Sequence, residues 1–117
     1  MEIEFKRAKR MRIEEFADKH DLKMEIGERQ QYLCGNDEMR FWARFKGVEA
    51  KDYESSCILS GEHGNGRTPE AAINNYATKI TGKLLVVDAK TDGERKIWVD
   101  CDLLPTALEL TQTRREK

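Results

Sequence analysis

The stretch from Gly61 to Thr68, Gly-Glu-His-Gly-Asn-Gly-Arg-Thr, holds the residue types that cradle a phosphate. Four residues separate Gly61 from Gly66, and a basic residue and a threonine follow. The apolar run Cys57-Ile58-Leu59 precedes it, and a helical pattern starts at Thr68. A phosphate loop works through ringed backbone amides, a lysine on the β and γ phosphates and a hydroxyl on magnesium. Here the lysine position is Arg67, whose planar guanidinium does not replace that compact charge. Pro69 also removes an N–H from the first helical turn. A helix start accounts for the same residues: Thr68 as N-cap, Pro69 at N1, Glu70 toward the dipole, and glycines that permit the turn. Leu84 to Asp88 imitates the strand-plus-Asp partner of a phosphate loop, as the end of any buried strand can. Nucleotide hydrolysis is therefore not expected, although the helix N-terminus is a place where an anion could sit.

Other chemistry is sparse. His63 lies beside Glu62, Asn65 and Arg67 in the best polar cluster of the chain, but no nucleophile accompanies it. On an exposed loop such a cluster reads as a contact surface. His20 falls at an expected helix end, where a protonated ring suits the dipole. Cys34, Cys57 and Cys101 are odd in number and widely spaced, which fits neither a disulfide framework nor a CxxC metal site. A zinc site made from them with His20 or His63 lacks close-spaced pairs. The reading is three reduced thiols in a cytoplasmic protein, with no catalytic residue, metal or cofactor.

Binding residues are easier to nominate. The segment Lys6-Arg7-Ala8-Lys9-Arg10-Met11-Arg12 has five basic residues in seven, and Arg114, Arg115 and Lys117 add charge at the other end. Such a segment is a solvated surface or a contact for phosphates or an acidic protein. In Met39-Arg-Phe-Trp-Ala-Arg-Phe45, strand alternation sends Phe41, Ala43 and Phe45 one way and Arg40, Trp42 and Arg44 the other. The second trio suits base stacking or a protein hot spot, and Trp42 half-buried under a loop is the plainer reading.

These residues need a scaffold. The chain has 117 residues, 37 % of them charged and 38 % apolar, with net charge −1. That suits one small domain, expected over residues 1–110 with a charged flexible tail at 111–117. No apolar run approaches a membrane span, and Met1 to Phe5 lacks a signal-peptide core. Met1 to Lys6 alternates like a strand. Ile13, Phe16, Ala17 and Leu22 mark a helix within residues 11–22, and Leu22, Met24 and Ile26 a strand. A polar stretch, Gly27 to Glu38, turns at Gly35-Asn36-Asp37. Residues 39–45 form a strand, strand character recurs around Val48, and Ser56 to Leu59 reads as a third short strand. A helix runs from Thr68 to about Ile80 and stops at Gly82. Leu84 to Val87 is a buried strand, Thr91-Asp92-Gly93 a hairpin turn and Lys96 to Val99 the return. Leu103 to Leu110 reads as a short helix. The order β-α-β-β-β-α-β-β implies an α+β fold of two layers, a mostly antiparallel sheet with two helices on one face.

Three resemblances follow from these stretches. The helix, three strands, glycine turn and Ala-rich helix of residues 11–80 resemble a double-stranded-RNA-binding domain. That family grips phosphates with lysines where this chain has Thr68, Pro69, Glu70 and Ala71, with only Arg67 basic. Gly66-x-Thr68-Pro69-Glu70-x-Ala72-x-x-Asn75 is similar to the strand-to-helix joint of HicB-type antitoxins. The texture from Phe41 through Gly64 and Val87 to Ile97 resembles small phage and prophage proteins that inhibit bacterial defence, the anti-CRISPR type among them. That last resemblance implies a non-enzymatic inhibitor in the host cytoplasm that blocks a host protein, such as a nucleic-acid-binding effector complex, by surface occlusion. The expected contacts are Arg7, Lys9, Arg10 and Arg12, then Arg40, Trp42 and Arg44, then His63, Asn65 and Arg67. A nucleic-acid module using the same residues is the main alternative, and an acidic face that mimics nucleic acid stays open. Edge strands leave monomer and homodimer both open.

Overall fold

The computed structural model describes residues 1–6, 9–30 and 37–110. In chain order the elements are β1 (Arg10–Arg12), α1 (Ile13–Lys19), β2 (Met24–Glu28), a 3-10 turn (Asp37–Met39), β3 (Phe41–Phe45), β4 (Val48–Lys51), β5 (Gly64–Gly66), α2 (Pro69–Ile80), β6 (Leu84–Val87), β7 (Arg95–Trp98) and β8 (Asp102–Leu104).

The middle of the sheet is one long chain path, β3 then β4, bent at Lys46-Gly47. Gly47 takes φ +69 there, a left-handed conformation that suits glycine. On one edge, β2 pairs antiparallel with β3 and β6 with β4. Lys46 N donates to Lys23 O at 2.7 Å, and Asp88 N donates to Gly47 O at 2.9 Å, so the pairing continues around the bend. On the other edge, β5 pairs antiparallel with β3, and Ser60 bridges Ala50. β7 returns antiparallel beside β6. One pair is parallel: β1 lies beside β8 in a separate two-stranded sheet. The fold is thus the expected α+β class, with antiparallel pairing and two helices.

Both helices bury their apolar stripes on one side. Phe45 faces them and touches each: its ring lies 6.3 Å from Phe16 of α1 and 5.4 Å, edge-on, from Tyr76 of α2. Ala72, Ile73, Ala77 and Ile80 complete the stripe of α2, and Leu85, Val87 and Ile97 extend the core under the second sheet. Thr68 caps α2, accepting from Ala71 N at 3.1 Å, and Pro69 stands at N1. Gly82 at φ +83 follows the helix end.

Several elements differ from expectation. Met1 to Lys6 is not a strand: Ile3 is 76 % and Phe5 80 % exposed, because alternation makes a strand only beside a partner edge. The first strand is β1, which takes residues 11 and 12 from the expected helix. Ser56 to Leu59 is irregular and Ile58 is 76 % exposed. The glycine stretch fills the third-strand place instead. Leu103 to Leu110 does not form the expected helix. Leu103 and Leu104 belong to β8, and the following N–H groups go to side chains: Thr106 to Asn74 Oδ1 at 2.8 Å and Ala107 to Glu14 Oε2 at 2.9 Å. These two bonds tie the segment to α2 and α1 instead. Gly35 and Asn36 of the expected turn, the thiol residue Cys34 and the tail at 111–117 lie outside the described residues.

Candidate binding face

The outer face of the β2-β3-β5 sheet is assembled by three different local devices. In β3, alternation buries Phe41, Ala43 and Phe45 and leaves Trp42 and Arg44 half-buried on the other side. In β5, Gly64 and Gly66 are buried against α2. A Cβ on Gly64 would fall on Ala72 O and Tyr76 N; one on Gly66 would come within 2.6 Å of Ala71 Cβ and Ala72 N. The glycines let the helix lie directly on strand backbone. That is their task, and it leaves Asn65 facing outward beside its register partner Trp42. In β2, the register places Gly27 opposite Trp42 and Glu25 opposite Arg44. The indole occupies the space a Gly27 side chain would need, overlapping it at Nε1, Cε2 and Cζ2. A glycine under an aromatic is a known way to hold that ring in place.

Arg29, Trp42, Arg44 and His63 line one shallow depression of about 280 Å³ on this face. Both arginines are anchored to backbone carbonyls. Arg29 Nη1 donates to Met39 O at 2.6 Å, and Arg44 Nη2 donates to Val48 O at 3.0 Å. Among the described residues neither forms an ion pair with a carboxylate. Arg44 Nε is shut off from solvent without an acceptor, and so is Asn65 Oδ1 without a donor. The backbone around them is braced by α2: Asn75 Oδ1 accepts from Asn65 N at 2.9 Å, and Lys79 Nζ donates to His63 O at 3.0 Å. His63 Nδ1 lies 3.4 Å from Gly61 O. The result is a rigid patch of two uncompensated guanidiniums beside a tryptophan.

Four of the nominated residues, Trp42, Arg44, His63 and Asn65, therefore meet on one face. The others do not join them. Arg40 precedes the strand, pairs with Glu28 at 2.7 Å and lies 5.9 Å from the Phe41 ring centre. It does not line the depression, so the expected Arg40-Trp42-Arg44 trio is reduced to two members. Arg67 approaches Glu38 at 3.8 Å. Arg10 and Arg12 belong to β1, in the other sheet, where Arg12 Nη1 donates to Pro105 O at 2.7 Å. Lys9 borders a separate depression with Asp100 and Asp102. Arg7 lies outside the described residues. Sequence reasoning missed Arg29, which it placed in a polar loop; continuing the period of two from Glu25 through Gly27 would have put it on this face.

The remaining candidates go elsewhere. His20 ends α1 as expected. Burial first, then the positive charges of Lys19 and Arg95, hold its pKa below the ordinary histidine value. Its ring lies 4.5 Å from Phe16. Cys57 is an exposed free thiol; Cys101 is buried, and burial pushes its pKa up. Among the described residues no group of three His, Cys, Asp or Glu side chains is placed to hold a metal ion, and no helix is long and apolar enough to cross a membrane. Comparison with protein-family models, with curated proteins and with solved structures gave no match.

Proposed function

We propose that this chain is a binding protein, without catalytic chemistry of its own, that inhibits a partner protein by covering its surface with the outer face around Trp42. The observation that carries the reading is the pair of half-buried arginines held by backbone carbonyls instead of carboxylates, on either side of that indole. Tryptophan and arginine are the commonest anchors of protein hot spots, and fixed side chains lose little entropy on binding. A protein that occupies such a site excludes whatever else would use it.

Charge argues for a protein over a nucleic acid. The chain is net −1. Arg40, Arg67 and Lys83 already have acidic partners, and Glu25 stands opposite Arg44. The test is capture from bacterial lysate on tagged wild-type protein and on Trp42→Ala, each with and without nuclease. A stoichiometric protein that survives nuclease and is absent from the variant is the expected result. Recovery of nucleic acid would sink the proposal, above all if capture fell by about 10³-fold or more between roughly 50 and 200 mM salt, as multiple phosphate contacts require.

A further inference from the structure

Some of the surface cations are paired with carboxylates, and among the described residues the two arginines of the depression are not. The sequence has 22 acidic residues. Arg40 takes Glu28, Arg67 takes Glu38, and Lys83 takes both Asp52 and Glu62. Arg29 and Arg44 take none among the described residues, although Glu25 sits in register with Arg44. Each spends one N–H on a carbonyl, which fixes the guanidinium plane, and keeps others. A fixed planar fork fits a carboxylate, which accepts two N–H groups in one plane. The Trp42 ring offers an apolar wall for the methylenes that carry such a carboxylate. The depression holds about 280 Å³, small beside ordinary ligand pockets and suited to a single side chain.

We infer that the depression lined by Arg29, Trp42, Arg44 and His63 receives the carboxylate of an acidic residue in an extended, partly apolar segment of the partner protein. This rests on the outer face being the binding face, and it names what enters it. The arginines hold the carboxylate, and the indole packs on the stem. A phosphate is the competing anion, and the peptide, phosphate and oligothymidine probes distinguish the two.

The test uses a full-length Trp98→Phe background. The chain has two tryptophans, so Trp42 becomes the only one and its fluorescence reports the site. The probes are acetyl-Leu-Glu-Leu-amide, its Gln counterpart, inorganic phosphate and oligothymidine. The expected result is saturable change with the Glu peptide, at least about tenfold weaker affinity for the Gln peptide, and a similar loss in Arg29→Gln and Arg44→Gln, since each removes a charge-assisted contact. Thermal melts check that the variants fold; Arg29→Gln decides if Arg44→Gln does not. Equal response to Glu and Gln peptides, no response to either, or saturation by phosphate or oligothymidine alone overturns the inference. If the Glu peptide fails while a lysate partner is still lost in Trp42→Ala, the carboxylate assignment falls and the binding face stands. If the peptide binds but no partner depends on Trp42, the inhibitor reading falls.

Discussion

The two faces of the β2-β3-β5 sheet are built from alternate residues of the same strands, yet they follow opposite rules. On the inner face β3 buries Phe41, Ala43 and Phe45, and β5 presses glycines against α2. On the outer face stand Arg29, Trp42, Arg44 and Asn65. Inner positions tolerate almost no added volume, because helix and strand backbones touch. Outer positions tolerate change in folding terms but carry the recognition chemistry. Neighbours in sequence, such as Gly64 and Asn65, thus have unrelated consequences when altered.

The largest expected effect is on the inner face. Gly64→Ala places a methyl on Ala72 O and Tyr76 N and should cost about 3 kcal/mol or more in chemical denaturation, since backbone must move. Gly66→Ala should follow, somewhat less severely. A cost below about 1 kcal/mol for Gly64→Ala would mean that helix and strand do not lie this close. Trp42→Ala should reverse the pattern: partner affinity falls by about 2 kcal/mol or more, with a smaller change in folding stability. Gly27→Ala sharpens the contrast. Its methyl displaces the indole, so binding should weaken while denaturation shifts only modestly, although no contact residue has changed. Arg10→Ala, on the separate β1-β8 pair, should leave partner affinity within about 0.5 kcal/mol of wild type; a larger loss would move the binding face to the basic segment.

The smallest effect concerns pH. The folded pKa of His20 is depressed, so the unfolded chain binds more protons as pH falls through about 6.5. Stability held above that pH is lost as the pH drops from there toward the folded value. His20→Phe, which keeps a ring against Phe16, should flatten the fall in melting temperature between about pH 7 and 5. An unchanged pH profile would show that His20 is not the group responsible.

Much of this contrast was visible in the residues. The alternation of Phe41 to Phe45, the Thr68-Pro69 helix start and the apolar Leu84 to Val87 run are local signals, and each produced its element. β5 was hidden because Gly-Asn-Gly has no strand propensity; its reason lies in Ala72 and Tyr76, which only the fold brings near. Met1 to Lys6 failed for the converse reason, a strand pattern that pairs with no strand among the described residues. β8 was missed because its partner lies some ninety residues away. On the binding face, Trp42 and Arg44 announced themselves, whereas Arg29 looked like loop. What joins the two arginines beside Trp42 is the pairing of β2 with β3, a property of three-dimensional neighbours and not of spacing.

The parallel pair of β1 and β8 has a kinetic consequence. Arg10 meets Asp102, and Arg12 and Glu14 each reach across 93 residues to hydrogen-bond Pro105 and Ala107. Closing so long a loop is entropically costly until the antiparallel ladders have shortened the path. The seam should form last in folding and open first. Its two strands, together with α1, should then exchange their amide hydrogens as one unit, ahead of the amides in β3, β6 and α2.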